Sequence, residues 1–180
     1  MNQNPYSVSE QQTSGDLQSL GPKFDQQLRV MQIIAVALMM GVLMFLGVVL
    51  VMTQGDVFGM QQPGLITIIA AGFAFIMIVN HFVIPSIIAN AQLKRLAGGG
   101  TSDAEKEQRI ASLASVYQVQ LIVGLALLEG AAFFNLIALM IGKSAASIAV
   151  VVVLLSLMLL KFPTRTKVTW WIQDRISELQ

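Results

Sequence analysis

Four apolar stretches dominate this chain of 180 residues. Each is close to or above the roughly 20 residues that an α-helix needs to cross a lipid bilayer. They cover residues 28–52, 64–88, 117–141 and 145–162. With 55% hydrophobic and 12% charged residues, the composition is also far from that of a water-soluble domain. The sequence therefore predicts an all-α, polytopic membrane protein in which residues 23–163 form a four-helix transmembrane bundle.

The positions of lysine and arginine predict how this bundle is oriented. Basic residues near a membrane favour its cytoplasmic side. They precede the first stretch, occur between the second and third, and follow the fourth. Residues 53–63 contain none, and the turn after the third stretch contains only Lys143. We therefore expect a multi-pass protein of the cytoplasmic membrane with both termini in the cytoplasm, as an even number of spans requires.

Several kinds of function are disfavoured by composition. The chain has no cysteine, which excludes disulfides and thiolate-bound metals, and its single histidine, His81, argues against a histidine metal site. A net charge of +1 gives no electrostatic reason to bind nucleic acid. No cofactor and no metal are predicted. The first stretch is longer than the apolar part of a signal peptide, so we expect it to be retained as a membrane anchor.

The connection between the second and third stretches predicts a helical hairpin. The second helix is expected to continue to about residue 97, ahead of three glycines. Ser102 and Glu105 have the spacing of a capping box, and the helix they begin should run uninterrupted for about 39 residues. The hairpin then protrudes into the cytoplasm, and residues 96–109 are its predicted surface for a protein partner or for self-association. Residues 1–22, rich in Gln, Ser and Asn, predict a disordered cytoplasmic tail.

Residues 164–180 predict a short amphipathic helix at the membrane interface. Apolar residues recur there at helical spacing after Pro163. Trp170 and Trp171 favour the level of the lipid headgroups, and Lys167 and Arg175 suit anionic lipid, so these four residues are the predicted interface anchors. Contact of the same stripe with another helix is the alternative.

Polar residues and a proline coincide in the second stretch. Pro85 lacks the N–H that would bond the carbonyl of His81, and its ring crowds that carbonyl, which predicts a helix kink. Asn80 and His81 lie in the same turn. A freed carbonyl and two polar side chains are therefore expected together at membrane depth.

Glu129 lies in the middle of the third stretch, where a carboxyl group is energetically costly. Aligning the outer ends of spans two and three at Gly64 and Gly142 puts Glu129 about 20 Å and His81 about 26 Å below that end. Side chains lean toward the N-terminus of their own helix, so the two lean toward each other and could meet if they share a seam. Asn135, farther out, is expected to bond a neighbouring backbone or another copy of the chain.

Three interpretations of Glu129 remain open from the residues alone. It can be protonated or hydrogen-bonded to His81, Asn80 or a free carbonyl, and so fix helix packing. It can instead accept and release a proton or bind a cation, with His81 and Asn80 assisting. A catalytic acid is the third interpretation, although the chain offers no paired acids, metal ligands or phosphate loop to support it.

The residues around this acid resemble a known family. Residues 125–134, LALLEGAAFF, are similar to the acid-bearing helix of the rotary ATP synthase c subunit. The order of spans two and three, with the acid on the helix that returns from the cytoplasm, also resembles that family. The resemblance covers about 20 residues, and it implies that Glu129 carries a translocated proton or sodium ion. Spans one and four have no counterpart.

Taken together, these features favour a non-enzymatic structural, assembly or regulatory component of the membrane. The alternative is a component that translocates protons or cations through Glu129.

Overall fold

The computed structural model describes residues 22–53, 63–96 and 103–178. The predicted tail before residue 22, the first loop and the capping residue Ser102 lie outside this range, as does the tip of the hairpin. The described chain forms five helices and contains no strand, which confirms the all-α prediction. They are α1 (Pro22–Met52), α2 (Leu65–Leu96), α3 (Asp103–Gly142), α4 (Ala145–Leu160) and α5 (Arg165–Glu178).

The third helix is the centre of the fold. α3 packs against all four other helices, most extensively against α2, and α4 also touches α1 and α2. Half of the most apolar part of α3 is buried within the protein, compared with 17% for α1 and 22% for α2. α1 and α2 therefore present most of their apolar side chains on the outer surface, as helices do when lipid is their solvent.

Three helices are each long and apolar enough to cross a membrane. The qualifying segments are Phe24–Met52, Leu65–Ile88 and Ala111–Gly142. α4 has only 16 residues, about 24 Å at 1.5 Å per residue, and reaches the same standard only when joined to α5. Three helices with the length and composition expected of spans are thus confirmed, and the membrane crossings themselves, including the fourth, remain a prediction.

The two helices of the predicted hairpin have the expected lengths. α2 ends at Leu96, and α3 runs unbroken for 40 residues from Asp103. Both extend past their apolar segments, because those segments stop at Ile88 on α2 and begin at Ala111 on α3. The side chains of residues 92–110 and the tip at 97–102 lie outside the description, so the predicted contact surface there is untested.

A tight turn brings α4 back along α3. Lys143 has a left-handed backbone conformation (φ 48°), and its N–H donates to the carbonyl of Leu139 at 2.8 Å. Ser144 then precedes α4, so only two residues separate the helices. α3 and α4 are therefore antiparallel neighbours, as the sequence predicted from this short connection.

α5 lies at the opposite end of the bundle from that turn. It shares an apolar cluster with the start of α1 and the start of the apolar part of α3. The members of this cluster are Phe24, Leu28, Leu113, Ala114, Val168 and Ile172. α4 thus connects one end of the bundle to the end where α1 begins.

In this cluster the centre of the apolar stripe of α5 faces protein. Val168 and Ile172 are fully buried against protein, and the Trp171 ring makes an edge contact with Tyr117 at 5.3 Å. Arg175 lies over the Trp171 ring at 5.8 Å. The stripe thus contacts other helices of the bundle, and the position of α5 at the membrane interface stays a prediction. Trp170 is 67% exposed, and its role as a headgroup anchor stays a prediction.

Polar contacts hold the corner between α4 and α5, where the chain bends by 67°. The Lys167 ammonium donates to the carbonyls of Leu160 (2.8 Å) and Phe162 (3.5 Å), which are otherwise open at the end of α4. The Gln32 amide on α1 donates to the carbonyl of Pro163 at 3.1 Å. Arg165 also lies 3.6 Å from the carboxylate of Asp25 on α1. These contacts complement the apolar cluster in fixing α5 to α1.

We expect Ile172→Ala to lower the free energy of unfolding in detergent by about 2–4 kcal/mol, since the side chain is fully buried. Trp170→Ala, a larger truncation at an exposed position, should change it by less than about 0.5 kcal/mol. Limited proteolysis should release α5 first in the Ile172 variant. Equal destabilisation by both variants would contradict the burial of this stripe.

Candidate functional site: polar groups within the apolar helices

His81 is bonded to the backbone of the facing helix. Its Nδ1–H donates to the carbonyl of Gly124 on α3 at 2.8 Å, and the side chain is only 5% exposed. With the proton on Nδ1, the neutral ring has a bare Nε2, and this atom is buried without a hydrogen-bond partner. His81 therefore ties α2 to α3 in its neutral form.

Gly124 allows this close approach. A Cβ built on Gly124 would lie 3.1 Å from both Cε1 and Nδ1 of His81 and 3.6 Å from Cγ of Pro85. The first two distances are shorter than ordinary contacts, so any larger residue would push the imidazole away. α2 is helical through Pro85, which is buried in the same contact, and the predicted kink there stays a prediction.

Asn135 forms a second tie between the same two helices. Its amide nitrogen donates to the carbonyl of Ala70 on α2 at 3.1 Å and to that of Ala131, one turn back on α3, at 2.9 Å. The side chain is completely buried. The expectation that Asn135 bonds a neighbouring backbone is confirmed.

The two ties define the register of α2 and α3. Ala70 and His81 are 11 residues apart on α2, and their partners Asn135 and Gly124 are also 11 apart on the antiparallel α3. In this register the residue of α2 level with Glu129 is Ile76, whose side chain is exposed and points away from the seam. His81 therefore lies at the level of Gly124. That level is about 7.5 Å farther than Glu129 from the turn between α3 and α4.

Glu129 faces a different seam from His81. Its Oε1 lies 3.4 Å from the position of a Cβ on Gly41 of α1, so the carboxyl group fills space that the missing side chain leaves. The neighbouring Phe133 ring makes an edge contact with Phe45 of α1 at 5.4 Å. Glu129 is thus directed at α1, whereas Gly124 on the same helix is directed at α2.

The Glu129 carboxyl group is partly exposed and lacks a hydrogen bond within the described part of the chain. The structure does not bring it together with His81, which is bonded to Gly124 instead. Asn80 is partly exposed. It lies four residues along α2 from Ile76, the residue level with Glu129. Of the three predicted proton- or ion-handling residues, only Asn80 and His81 are neighbours. Their function remains untested by this geometry.

An open groove runs along α3 beside Glu129. Four residues of α3 at helical spacing are exposed on one side of it: Val119, Ala126, Gly130 and Ile137. α4 covers the opposite side of α3 and touches both α1 and α2, whereas α1 and α2 make no extensive contact with one another. The four exposed residues form the floor of this groove, which is the side of α3 that α1, α2 and α4 leave uncovered, and Glu129 borders the floor on the α1 side.

The two glycines that face these side chains, Gly124 and Gly41, were not predicted as their contacts from the sequence. Gly124 could have been found from the depth alignment, since His81 and Gly124 lie at almost the same distance from the outer turn. Gly41 lies four residues after Ala37, a spacing of small residues that favours close helix packing, but its contact with Glu129 depends on how the two helices are rotated. Rotation about a helix axis leaves no signal in one apolar sequence.

No metal centre is indicated by the described residues, among which no three His, Cys, Asp or Glu side chains come together. No protein-family model, curated protein or solved structure matches the chain. The fold and the polar groups thus define an all-helical protein with three helices, or four, able to cross a membrane.

We expect Gly124→Ala to lower the free energy of unfolding in detergent by about 1–3 kcal/mol, because the new methyl group displaces His81 from its hydrogen bond. The matched control is Gly72→Ala on α2, where a Cβ meets no atom within 4 Å. That variant should be neutral or slightly stabilising. Similar losses in both variants would show that glycine itself, rather than the contact with His81, determines stability.

Proposed function

We propose that the chain crosses the cytoplasmic membrane four times with both termini in the cytoplasm. α1, α2 and α3 are long and apolar enough to cross, and α4 leads from the α3 turn to the end of the bundle where α1 begins. Four passes in alternating directions are compatible with that arrangement. The distribution of lysine and arginine supports the assignment of the α1 start and of α5 to the cytoplasmic side.

The absence of cysteine allows a direct test of this topology with single introduced cysteines. Gln54→Cys, after α1, should react with a membrane-impermeant maleimide in intact cells. Thr101→Cys, between α2 and α3, should react only after the cells are permeabilised. The reverse pattern, or protection of both sites in intact cells, would contradict the proposed orientation.

Within that arrangement we propose a non-enzymatic role as an assembly component, which holds membrane partners together. The observation that carries this proposal is the unpaired, partly exposed carboxyl group of Glu129 beside an open groove. A polar group without a partner is costly in lipid, and a hydrogen bond from a docked helix would offset that cost. A helix in the groove would supply the contact that the described chain itself does not.

The other polar groups at membrane depth favour a rigid scaffold over a relay. His81 donates to a backbone carbonyl of the opposite helix. Asn135 donates to one carbonyl of the opposite helix and to one of its own. A relay needs polar groups within reach of one another, and on the α1 side the carboxyl group of Glu129 faces Gly41, which has no polar side chain. We interpret His81 and Asn135 as packing residues.

The extensions of α2 and α3 support a second contact surface. Both helices continue beyond their apolar segments, by eight residues on α2 and eight on α3. We propose that residues 96–109 at their tip meet a protein partner in the cytoplasm or another copy of the chain. This surface is about 12 Å beyond the membrane segments at 1.5 Å per residue.

The alternative function is translocation of protons or cations through Glu129. It is favoured by the same exposure, because a partly exposed carboxyl group is accessible to an ion as well as to a donor. The resemblance of the surrounding residues to the c subunit of rotary ATP synthases agrees with this alternative. It requires a path across the membrane that the described chain would share with another protein.

Vesicles reconstituted with the pure protein distinguish the two functions. Under an imposed proton or sodium gradient, we expect the wild-type protein and Glu129→Gln to conduct no more than empty vesicles, since His81 and Asn135 are bonded to backbone carbonyls rather than to Glu129. The flux is measured with a pH-sensitive or sodium-sensitive dye trapped inside the vesicles.

The matched control is Glu129→Asp, which keeps an acid at this position. Flux in the wild-type protein and the Asp variant that is lost in the Gln variant would overturn the assembly proposal in favour of translocation. Dicyclohexylcarbodiimide, which modifies protonated carboxyl groups in apolar surroundings, gives a second measurement on the same samples.

A further inference from the structure

We propose that the corner between α4 and α5 binds the phosphate of an anionic phospholipid between the ammonium groups of Lys161 and Lys167. The inference goes beyond the assembly function and uses only the proposed four-pass arrangement. It is supported by three features of the corner: two lysines held in fixed positions, positive charge without a compensating acid, and an apolar surface beside them.

Lys161 directly follows α4, and its side chain reaches across to α2. The ammonium lies 5.4 Å from the centre of the Phe82 ring, and its charge also acts on the neighbouring His81. A cation is attracted to the face of an aromatic ring, so this contact limits the motion of a long, flexible side chain. The ammonium makes no hydrogen bond or ion pair within the described part of the chain. Its three N–H donors are therefore free for a ligand.

Lys167 is held at the same corner by the end of α4. Its ammonium donates to the carbonyls of Leu160 at 2.8 Å and Phe162 at 3.5 Å, which leaves one of its three N–H donors. The Leu160 carbonyl belongs to the peptide bond that joins this residue to Lys161, so the second ammonium lies beside the Lys161 backbone. Both lysines are thus positioned before a ligand binds, which reduces the entropic cost of binding.

The charge of these two lysines is not offset by an acid. Arg165 lies 3.6 Å from Asp25, which compensates the guanidinium. Lys161 and Lys167 are exposed, and neither forms an ion pair with a described residue. Like charges at one corner repel each other, and an anion between them lowers that energy. A phosphate suits this position because its oxygens can accept N–H donors from both lysines at once.

In the proposed arrangement the Lys161 ammonium lies near the inner lipid headgroups. Lys161 follows the 16 residues of α4, so its backbone is about 24 Å from the outer turn. In the register of α2 and α3, Phe82 is level with Val123, about 28.5 Å from that turn. The lysine side chain therefore points toward the end of a hydrocarbon core about 30 Å thick, as lysines close to that boundary do.

An apolar surface adjoins the two ammonium groups. Leu159, Leu160 and Phe82 are each more than half exposed. An acyl chain can lie against these side chains while its phosphate meets the lysines, whereas a free phosphate would leave them uncovered. We therefore assign the site to a lipid. The lipid is anionic, because the ammonium group of a zwitterionic headgroup would be repelled by the lysines.

Lipid binding to the purified full chain tests this site. Native mass spectrometry in a nonionic detergent counts the lipids bound as phosphatidylglycerol or phosphatidylcholine is added. We expect one phosphatidylglycerol to bind roughly fivefold or more tightly than phosphatidylcholine, and Lys161→Gln to weaken its binding roughly fivefold, the effect of one lysine near anionic lipid. Lys161→Arg, which keeps the charge, should retain binding. Lys161 is chosen because Lys167 also holds the end of α4.

The matched control is Arg29→Gln, which removes one exposed positive charge from α1 near the same end of the bundle. It should change binding by less than about twofold, because exposed charges away from the site are screened. Equal losses in the Lys161 and Arg29 variants would overturn the site, since net charge alone would then attract the lipid. Equal binding of the two lipids would also overturn it, as would displacement of phosphatidylglycerol by excess inorganic phosphate.

Phe82→Leu separates the aromatic contact from the charge. Leucine keeps an apolar side chain but has no ring to hold the ammonium, so binding should weaken roughly two- to fivefold. In the Lys161→Gln protein the same change should have little further effect, because the two residues act through one contact. Fully additive losses would contradict a lysine that Phe82 positions for the phosphate.

These outcomes are separable from the tests of topology and of the assembly function. Detergent leaves the corner accessible whichever side of the membrane it faces, so failure of the lipid site would leave the cysteine labelling pattern unchanged. Reversed labelling with selective binding of phosphatidylglycerol would retain the site and place it in the outer leaflet.

Discussion

Two hydrogen bonds from side chains to facing backbone carbonyls determine how α2 lies on α3. Water does not compete for such bonds inside a bilayer, so each one opposes sliding and rotation of the two helices. They are spaced equally on both helices, near the two ends of the apolar seam. Since α1, α4 and α5 all pack on α3, the positions of the other helices depend on this pair.

This register has a direct consequence for the acid at membrane depth. With Gly124 turned toward α2, Glu129 five residues later must turn toward α1, because each residue advances the helix by 100°. The carboxyl group enters the space beside Gly41, where it finds no donor among the described residues. The fold therefore separates polar groups used for packing from one polar group that remains accessible.

Much of the architecture follows from the sequence alone. The lengths of α2 and α3, the short turn before α4 and the depth of His81 are all set by apolar length, capping residues and the rise of a helix. The depth of His81 indicates the level of its partner Gly124, but the neighbours of Glu129 could not be predicted, because they depend on the rotation of apolar helices that look alike on every side. The position of α5 was also beyond prediction, since the stripe with Val168 and Ile172 fits lipid and protein equally well. α4 proved two residues shorter than expected, ending at Leu160 with Lys161 as its cap.

The docking of α5 on α1 has a consequence for biogenesis. α1 is the first of these helices to be synthesised, and the apolar cluster around Phe24 and Leu28 is complete only when Val168 and Ile172 arrive from α5. The hydrogen bond from Gln32 to the Pro163 carbonyl and the ion pair of Asp25 with Arg165 likewise form only after these later residues have been synthesised. A chain that stops before α5 lacks this part of the cluster, so the start of α1 keeps more of its apolar surface exposed than in the folded protein.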